Sequence, residues 1–256
     1  MEKYLSNISQ PTAIIIIIGN EILSGRTNDQ NINWIANKLQ DNGIKLIEVR
    51  IIQDIFEIIV KNIRELKDKA DFILTSGGIG PTHDDITTES IAAAFNVEIE
   101  KNQEALKRLK SHYKGTNIQL NAARLKMANI PKGAILIDNP ISAAPGFIIK
   151  NVYVMAGVPK IMQSMLDSIL IKIKSDKKIF SITIGCKIGE GNLAEGVSII
   201  EKQNLDVEIG CYPWFKAGFY GTSLVIRSLN EDKVKIVRKD IEKLIIKNGG
   251  NPTIII

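Results

Sequence analysis

A chain of 256 residues with 45% hydrophobic and 24% charged side chains has the balance of a globular protein, with room for one large domain or a medium one plus a small one. Its longest apolar run, Ala13 to Ile18, is far too short to cross a bilayer, Met1 to Thr12 has an acidic second residue and no apolar signal-peptide core, and two cysteines, Cys186 and Cys211, make neither a disulfide scaffold nor a metal-spacing motif. The net charge of +5 comes from lysines spread over Lys101–Lys114, Lys172–Lys178 and Lys233–Lys247 among acids, which argues for solvated helix faces rather than a nucleic-acid surface and is compatible with a polyanionic small molecule.

Along the first two-thirds, strand and helix patterns alternate. Ala13–Ile18 reads as a strand, and Asn31–Gln40 places Ile32, Ile35 and Leu39 at helical spacing with Gly43 as its stop. Ile44–Ile52 is a second strand. Phe56–Lys69 is a helix with Ile59, Ile63 and Leu66 inward, and Asp71–Thr75 is a third strand. This β-α-β-α-β order predicts a parallel sheet with helices on both sides, and unbroken apolar runs suit fully buried parallel strands. A helix over Thr87–Phe95 follows, then two helical patterns between Asn102 and Asn129, separated at Gly115-Thr116 and stopped by Pro131. Ala134–Ile137, Phe147–Lys150 and Val152–Met155 supply further strands, the last two as a hairpin or one kinked strand. Pro159 opens a helix to about Ile173. The charged bridge Lys174 to Lys178 lacks apolar periodicity and marks a domain boundary, giving 1–174 and 175–256. Beyond it, a strand (Ile179–Cys186), a helix (Asn192–Gln203), two strands (Val207–Tyr212 and Thr222–Ser228) and a helix (Asp232–Asn248) make a small α+β domain.

The most informative stretch runs from Thr75 to Thr87. Three glycines, Gly77, Gly78 and Gly80, end a buried strand and let backbone N–H groups approach an anion, with hydroxyls of Ser76 and Thr82 as further donors. Asp84 and Asp85 follow, ahead of a helix. A phosphate cradle beside carboxylates is what a metal-assisted phosphate site needs, although such glycine turns also occur for purely structural reasons. Neighbouring carboxylates in an extended loop point opposite ways, so one can hold a cation while the other caps the helix or orients a water. Thr87 could supply that cap instead. His83 could donate to a phosphate or be an ordinary loop residue. Ligands in parallel α/β sheets sit beyond the carboxyl ends of the strands, so the loop after Gly19 can face the same cleft. It offers Asn20 and Glu21, then Ser24, Gly25, Asn28 and Asn31, with Asn28 alternatively a helix cap. Asn139-Pro140 with Ala144-Pro145-Gly146 form a third loop, and Gly157-Val158-Pro159 a fourth wall; each could also be a plain turn. No Ser–His–acid pairing and no Walker-type Gly-Lys-Thr sequence is present.

These segments, in this order, resemble the molybdopterin-binding-domain superfamily, in the branch containing competence/damage-inducible protein CinA and the front domain of eukaryotic FAD synthase. The motifs are Gly19 to Asn28, Ser76 to Thr87, Asn139-Pro140, Ala144 to Phe147, Ala156 to Pro159 and, farther on, Ile209-Gly210-Cys211-Tyr212-Pro213. The resemblance implies a three-layer α/β domain, its mostly parallel sheet covered by helices on both faces, followed by a small KH-like α+β domain. It implies hydrolysis of an ADP-ribose- or FAD-type pyrophosphate with release of AMP, using a divalent metal of the Mg²⁺ or Co²⁺ type, with K⁺ as a candidate second ion. By the match to the family's single Asp, Asp85 is the leading metal ligand and catalytic residue, helped by Asp84 and Glu21. Molybdopterin binding or adenylyl transfer, or a non-catalytic nucleotide- or pterin-binding module, are the alternatives. Asn20 stands where the family more often has Asp, and Cys211 where it more often has Ser. A cytoplasmic homodimer with a small nucleotide or pterin ligand, and with neither nucleic acid nor membrane as partner, is the accompanying expectation. No counterpart is expected of the amidase domain of longer CinA proteins or of the adenylylating domain of FAD synthase.

Overall fold

The computed structural model describes residues 10–173, 179–216 and 218–255. The stretch from Met1 to Ser9 and the bridge from Lys174 to Lys178 lie outside them, so the expectations placed there have no structural counterpart. The chain divides into two compact units, 1–176 and 177–256.

In the first unit, β1 (Thr12–Ile18) leads through the single turn α1 (Asn20–Leu23) into α2 (Asn31–Asp41) and β2 (Lys45–Ile52). Then come α3 (Phe56–Leu66), β3 (Phe72–Ser76) and α4 (Thr87–Phe95). The short strand β4 (Ile99–Lys101) precedes α5 (Gln103–Tyr113) and α6 (Ala122–Lys126), each capped by an Asn side chain, Asn102 and Asn121. The unit ends with β5 (Asn129–Pro131), β6 (Ile135–Ile137), the pair β7 (Gly146–Ile149) and β8 (Val152–Met155), and α7 (Pro159–Ile173). Six strands form one sheet in the order β2-β1-β3-β8-β7-β6. The β1–β2, β1–β3 and β3–β8 pairs are parallel, whereas β7 and β8 form an antiparallel hairpin.

Alternation along β1 builds the two faces. Ile14, Ile16 and Ile18 pack with Ile59, Ile63 and Leu66 of α3, Ile91 of α4 and Leu109 of α5. Ala13, Ile15 and Ile17 pack on the other face with Ile35 and Leu39 of α2 and with Met162, Met165 and Leu166 of α7. Helices on both sides explain why β1 is apolar at every position from Ala13 to Ile18 rather than at every second one. The ribbon β4–β5 has no sequence signature, because three exposed residues owe their extended form to the pairing of Ile99 with Pro131.

In the second unit, β9 (Phe180–Cys186), α8 (Glu190–Gln203), β10 (Glu208–Lys216), β11 (Phe219–Ser228), α9 (Glu231–Lys247) and β12 (Thr253–Ile255) follow in order. The sheet is antiparallel in the order β10-β11-β9-β12, so the strand β12 completes a β-α-β-β-α-β arrangement. Ile184, Cys186, Leu224 and Ile226 pack against Leu193 and Val197 of α8 and Val237 and Ile241 of α9. Both cysteines are free, and burial pushes the Cys211 thiol up in pKa. Among the described residues no helix is long and apolar enough to cross a membrane.

Candidate functional site

The carboxyl ends of β1, β2, β3 and β8 meet at one cleft of about 620 Å³, lined among others by Gly19, Glu21, Asp54, Gly77 to Thr82, Asp84, Asp85, Asn139 and Gly157. Close packing of strand ends fixes its floor. Gly77 has φ 116°, and a Cβ there would overlap the Ile18 carbonyl; a Cβ on Gly157 would lie 3.3 Å from the Gly77 Cα. At position 77 only bare backbone fits. Asn31, buried at the start of α2, ties this floor together by donating from Nδ2 to Ser76 Oγ at 3.0 Å and to the Gly157 carbonyl at 2.8 Å.

The glycine loop has a definite polarity. Thr87 fastens it, donating its hydroxyl to the Gly77 carbonyl at 2.9 Å and its N–H to the Gly78 carbonyl at 3.0 Å. A trans peptide holds N–H opposite to C=O, so with both carbonyls turned to α4 the N–H groups of Gly78 and Ile79 point away from that helix. Among the described residues, the N–H groups of Gly78, Ile79 and Gly80 have no acceptor. They are placed for an anion.

Carboxylates ring this loop. Asp85 Oδ2 accepts the Thr82 N–H at 2.8 Å and the Thr82 hydroxyl at 2.5 Å, and a Cβ on Gly80 would lie 2.6 Å from that oxygen. Lys126 of α6 donates to the Asp85 carbonyl at 2.7 Å and pairs with Glu89 at 3.3 Å. The exposed Asp84 is held below its ordinary pKa, first by the nearby Thr82 hydroxyl, whose one proton is turned to Asp85 but can swing to Asp84, and next by its own backbone N–H. Across the cleft, Glu21 folds back over Gly19, where a Cβ would meet its carboxylate. The amide of Asn20 donates to Asp54 Oδ1.

Several expected positions take other roles. Gly77 spends its N–H on the Met155 carbonyl at 3.1 Å, and the buried Ser76 hydroxyl donates to the Ala156 carbonyl at 3.1 Å, so neither is a free donor. Thr87 and Asp85 do not cap α4, whose N-cap is Ile86 without a side-chain bond. Asn28 does not cap α2 either: Asp29 accepts the Ile32 N–H at 2.7 Å. Asn20, Ser24, Gly25, Asn28 and His83 are exposed residues outside the cleft lining. Gly146 is buried in β7, where a Cβ would overlap the Val154 carbonyl, and Pro145 lines a small recess behind Asp85 with Glu89 and Lys126. Asn139 lines the cleft and organises its loop, donating at 2.7 Å to Ser142 Oγ and to the Ala144 carbonyl.

The sequence predicts Asp84, Asp85 and Glu21 as a metal trio, but among the described residues no three acidic, His or Cys side chains gather to hold an ion. The turn of Asp85 onto Thr82 and of Glu21 onto Gly19 accounts for that. What remains suits an Mg²⁺-type ion, which takes one or two carboxylates and completes its shell from substrate phosphates and water. Sequence reasoning missed Asp54, Tyr113, Met127 and Lys126. Asp54 had a usable signal, since it follows β2 at a strand's carboxyl end. Tyr113 and Met127 reach the cleft from the ends of α5 and α6, in stretches that read as surface or core.

Residues 14–175 match the family described as probable molybdopterin binding domain, and residues 178–249 match the one described as FAD synthase, middle domain. A protein of Archaeoglobus fulgidus is 35% identical over 91% of this chain and 97% of its own length. A probable FAD synthase of Caenorhabditis briggsae is 28% identical over 92% of this chain, which spans 50% of that protein. The crystal structure of CinA from Thermoplasma acidophilum, described as of unknown function, is 34% identical and superposes with a TM-score of 0.60, covering 64% of this chain and 99% of that one.

Proposed function

The chain belongs to the molybdopterin-binding-domain superfamily, in its CinA-like branch, and from that premise we propose that its first unit is a metal-dependent nucleotide pyrophosphatase acting on ADP-ribose or FAD and releasing AMP. The observation that supports this reading most is the run of free N–H groups at Gly78, Ile79 and Gly80, directly beside Asp84 and Asp85 in one cleft. A pyrophosphate laid on that run gives its non-bridging oxygens fixed donors where charge grows during attack. Asp84 and Asp85, together with the substrate's own phosphate oxygens, would hold the divalent cation. When bound, that ion neutralises phosphate charge and makes water easier to ionise. Glu21 or Asp54 on the facing wall takes the proton of the attacking water. Water oxygen bonds to one phosphorus as the bridging P–O bond breaks, and the second phosphate leaves with its sugar or flavin. Tyr113, Met127, Ile79 and Ile161 offer the ring a mostly apolar wall.

The same wall would take a pterin, the ligand named in the family's description, which makes pterin binding the second reading. Asp85→Ala separates them. We expect it to lose AMP release from ADP-ribose and FAD by at least about 100-fold while melting close to wild type. Full activity in that variant would contradict the assignment of Asp85.

A further inference from the structure

We propose that the uncovered sheet face of the second unit binds a nucleotide, with the base stacked on Trp214 and the phosphate taken by Lys187 and Lys216. Both helices of this unit pack on one face of its sheet, against Ile184, Cys186, Leu224 and Ile226. Alternation sends Gly185, Gly221, Ser223, Tyr212, Trp214, Lys216 and Phe219 to the opposite face, which α8 and α9 leave open. A four-stranded β-α-β-β-α-β sheet with aromatics on its open face is an arrangement that single-stranded bases stack on.

Three details on this face favour a planar anion over an apolar partner. A cleft of about 610 Å³ lies here, lined by Trp214, Lys187, Lys216, Ser223, Asn251 and three glycines among other residues, and no lining residue is acidic. That volume is in the range of small-molecule sites. Among the described residues neither lysine has a carboxylate partner; Lys187 instead sits 5.0 Å from the ring centroid of Phe219. The indole of Trp214 rests against bare backbone, for a Cβ on Gly221 would overlap it, and Tyr212 and Phe219 on the same face are 49% and 60% exposed. Ring, cation and amide thus surround one space, with further aromatics at hand for a neighbouring base. A free mononucleotide and a single-stranded nucleic acid share this chemistry. The proposal does not depend on pyrophosphatase activity in the first unit.

The test uses the full chain carrying Trp34→Phe, which leaves Trp214 as the sole indole. Its fluorescence is titrated with AMP and, separately, with a short single-stranded oligoriboadenylate. Saturable quenching is expected. The double replacement Lys187→Ala/Lys216→Ala should weaken it about tenfold or more, while leaving any AMP release by the first unit unchanged. If Trp34→Phe folds poorly, the difference between wild type and Trp214→Phe gives the same signal. Tighter binding of the oligonucleotide assigns the face to strands and reverses the expectation of no nucleic-acid partner, and tighter binding of AMP assigns it to free nucleotides. No saturable response to either probe, equal binding by the double variant, or shielding of Trp214 by self-association alone would overturn the proposal.

Discussion

Asp85 and Asn20 are the residues on which the account can be pressed hardest. The carboxylate of Asp85 is seated by two donors from Thr82 and by the missing side chain of Gly80. Gly80→Ala should displace it without touching the core, lowering kcat by roughly 100-fold, as an ångström-scale misplacement does, with little change in melting temperature. Unchanged turnover in that variant would show that the seat of Asp85 is immaterial. Asn20 stands where the family resemblance leads to the expectation of Asp, and its amide donates to Asp54, a carboxylate that lines the cleft. An Asp at position 20 would set two like charges together and raise their shared titration. The acid limb of the pH–rate profile of Asn20→Asp should therefore move to higher pH, and a superimposable profile would remove Asp54 from the mechanism. The glycine loop was legible in the sequence because Asp84 and Asp85 follow it directly, which sets it apart from the many glycine turns that are only structural. Asp54 was legible only as a residue just past a strand's carboxyl end; that β2's end reaches this cleft, and that Asn20 bonds to Asp54, depends on the sheet order.

At the level of elements, β2 lies at the sheet edge and is tied to α3 by Arg50, which pairs with Glu48 at 2.5 Å and with Glu65 at 2.8 Å and donates to Asn62 at 2.7 Å. The Arg50 guanidinium, and after it Lys69, hold Glu65 down to about 2 from an ordinary 4.5. A depressed carboxylate stabilises the fold above its unfolded pKa and loses that contribution as pH falls toward its folded one. The stability difference between wild type and Glu65→Gln should thus be present at pH 6 and shrink progressively below about pH 4.5. A pH-independent difference in urea midpoints would contradict the pairing. Because Glu65 is solvent-facing, its magnitude should be small. Elements with a clear period, such as α2 and α3, were readable from spacing, and α7 from Pro159 at its start. The turn α1 and the strands β4 and β5 were not, because they are short and, unlike β6, β7 and β8, carry no apolar run to mark them.

Across the whole molecule, each unit has its own apolar core, and every residue assigned to the pyrophosphatase cleft lies in the first. A fragment ending at Ile173 should therefore keep AMP release within a few-fold of the full chain; loss of activity in a folded fragment would mean the second unit completes the site. The order of strands and helices was legible because the central strands β1, β3 and β8 are mostly apolar runs; β2, at the edge, is instead exposed at every second residue rather than fully buried. The open face of the second sheet was not, because strand alternation does not say which face the helices will cover. The central claim, that this cleft is a metal-dependent pyrophosphatase, meets its most direct test in AMP release from ADP-ribose and from FAD by the full chain, with Mg²⁺ or Co²⁺ and with EDTA. AMP is expected from at least one substrate with metal present and none in EDTA. No AMP under any condition, or AMP release indifferent to EDTA, would contradict it.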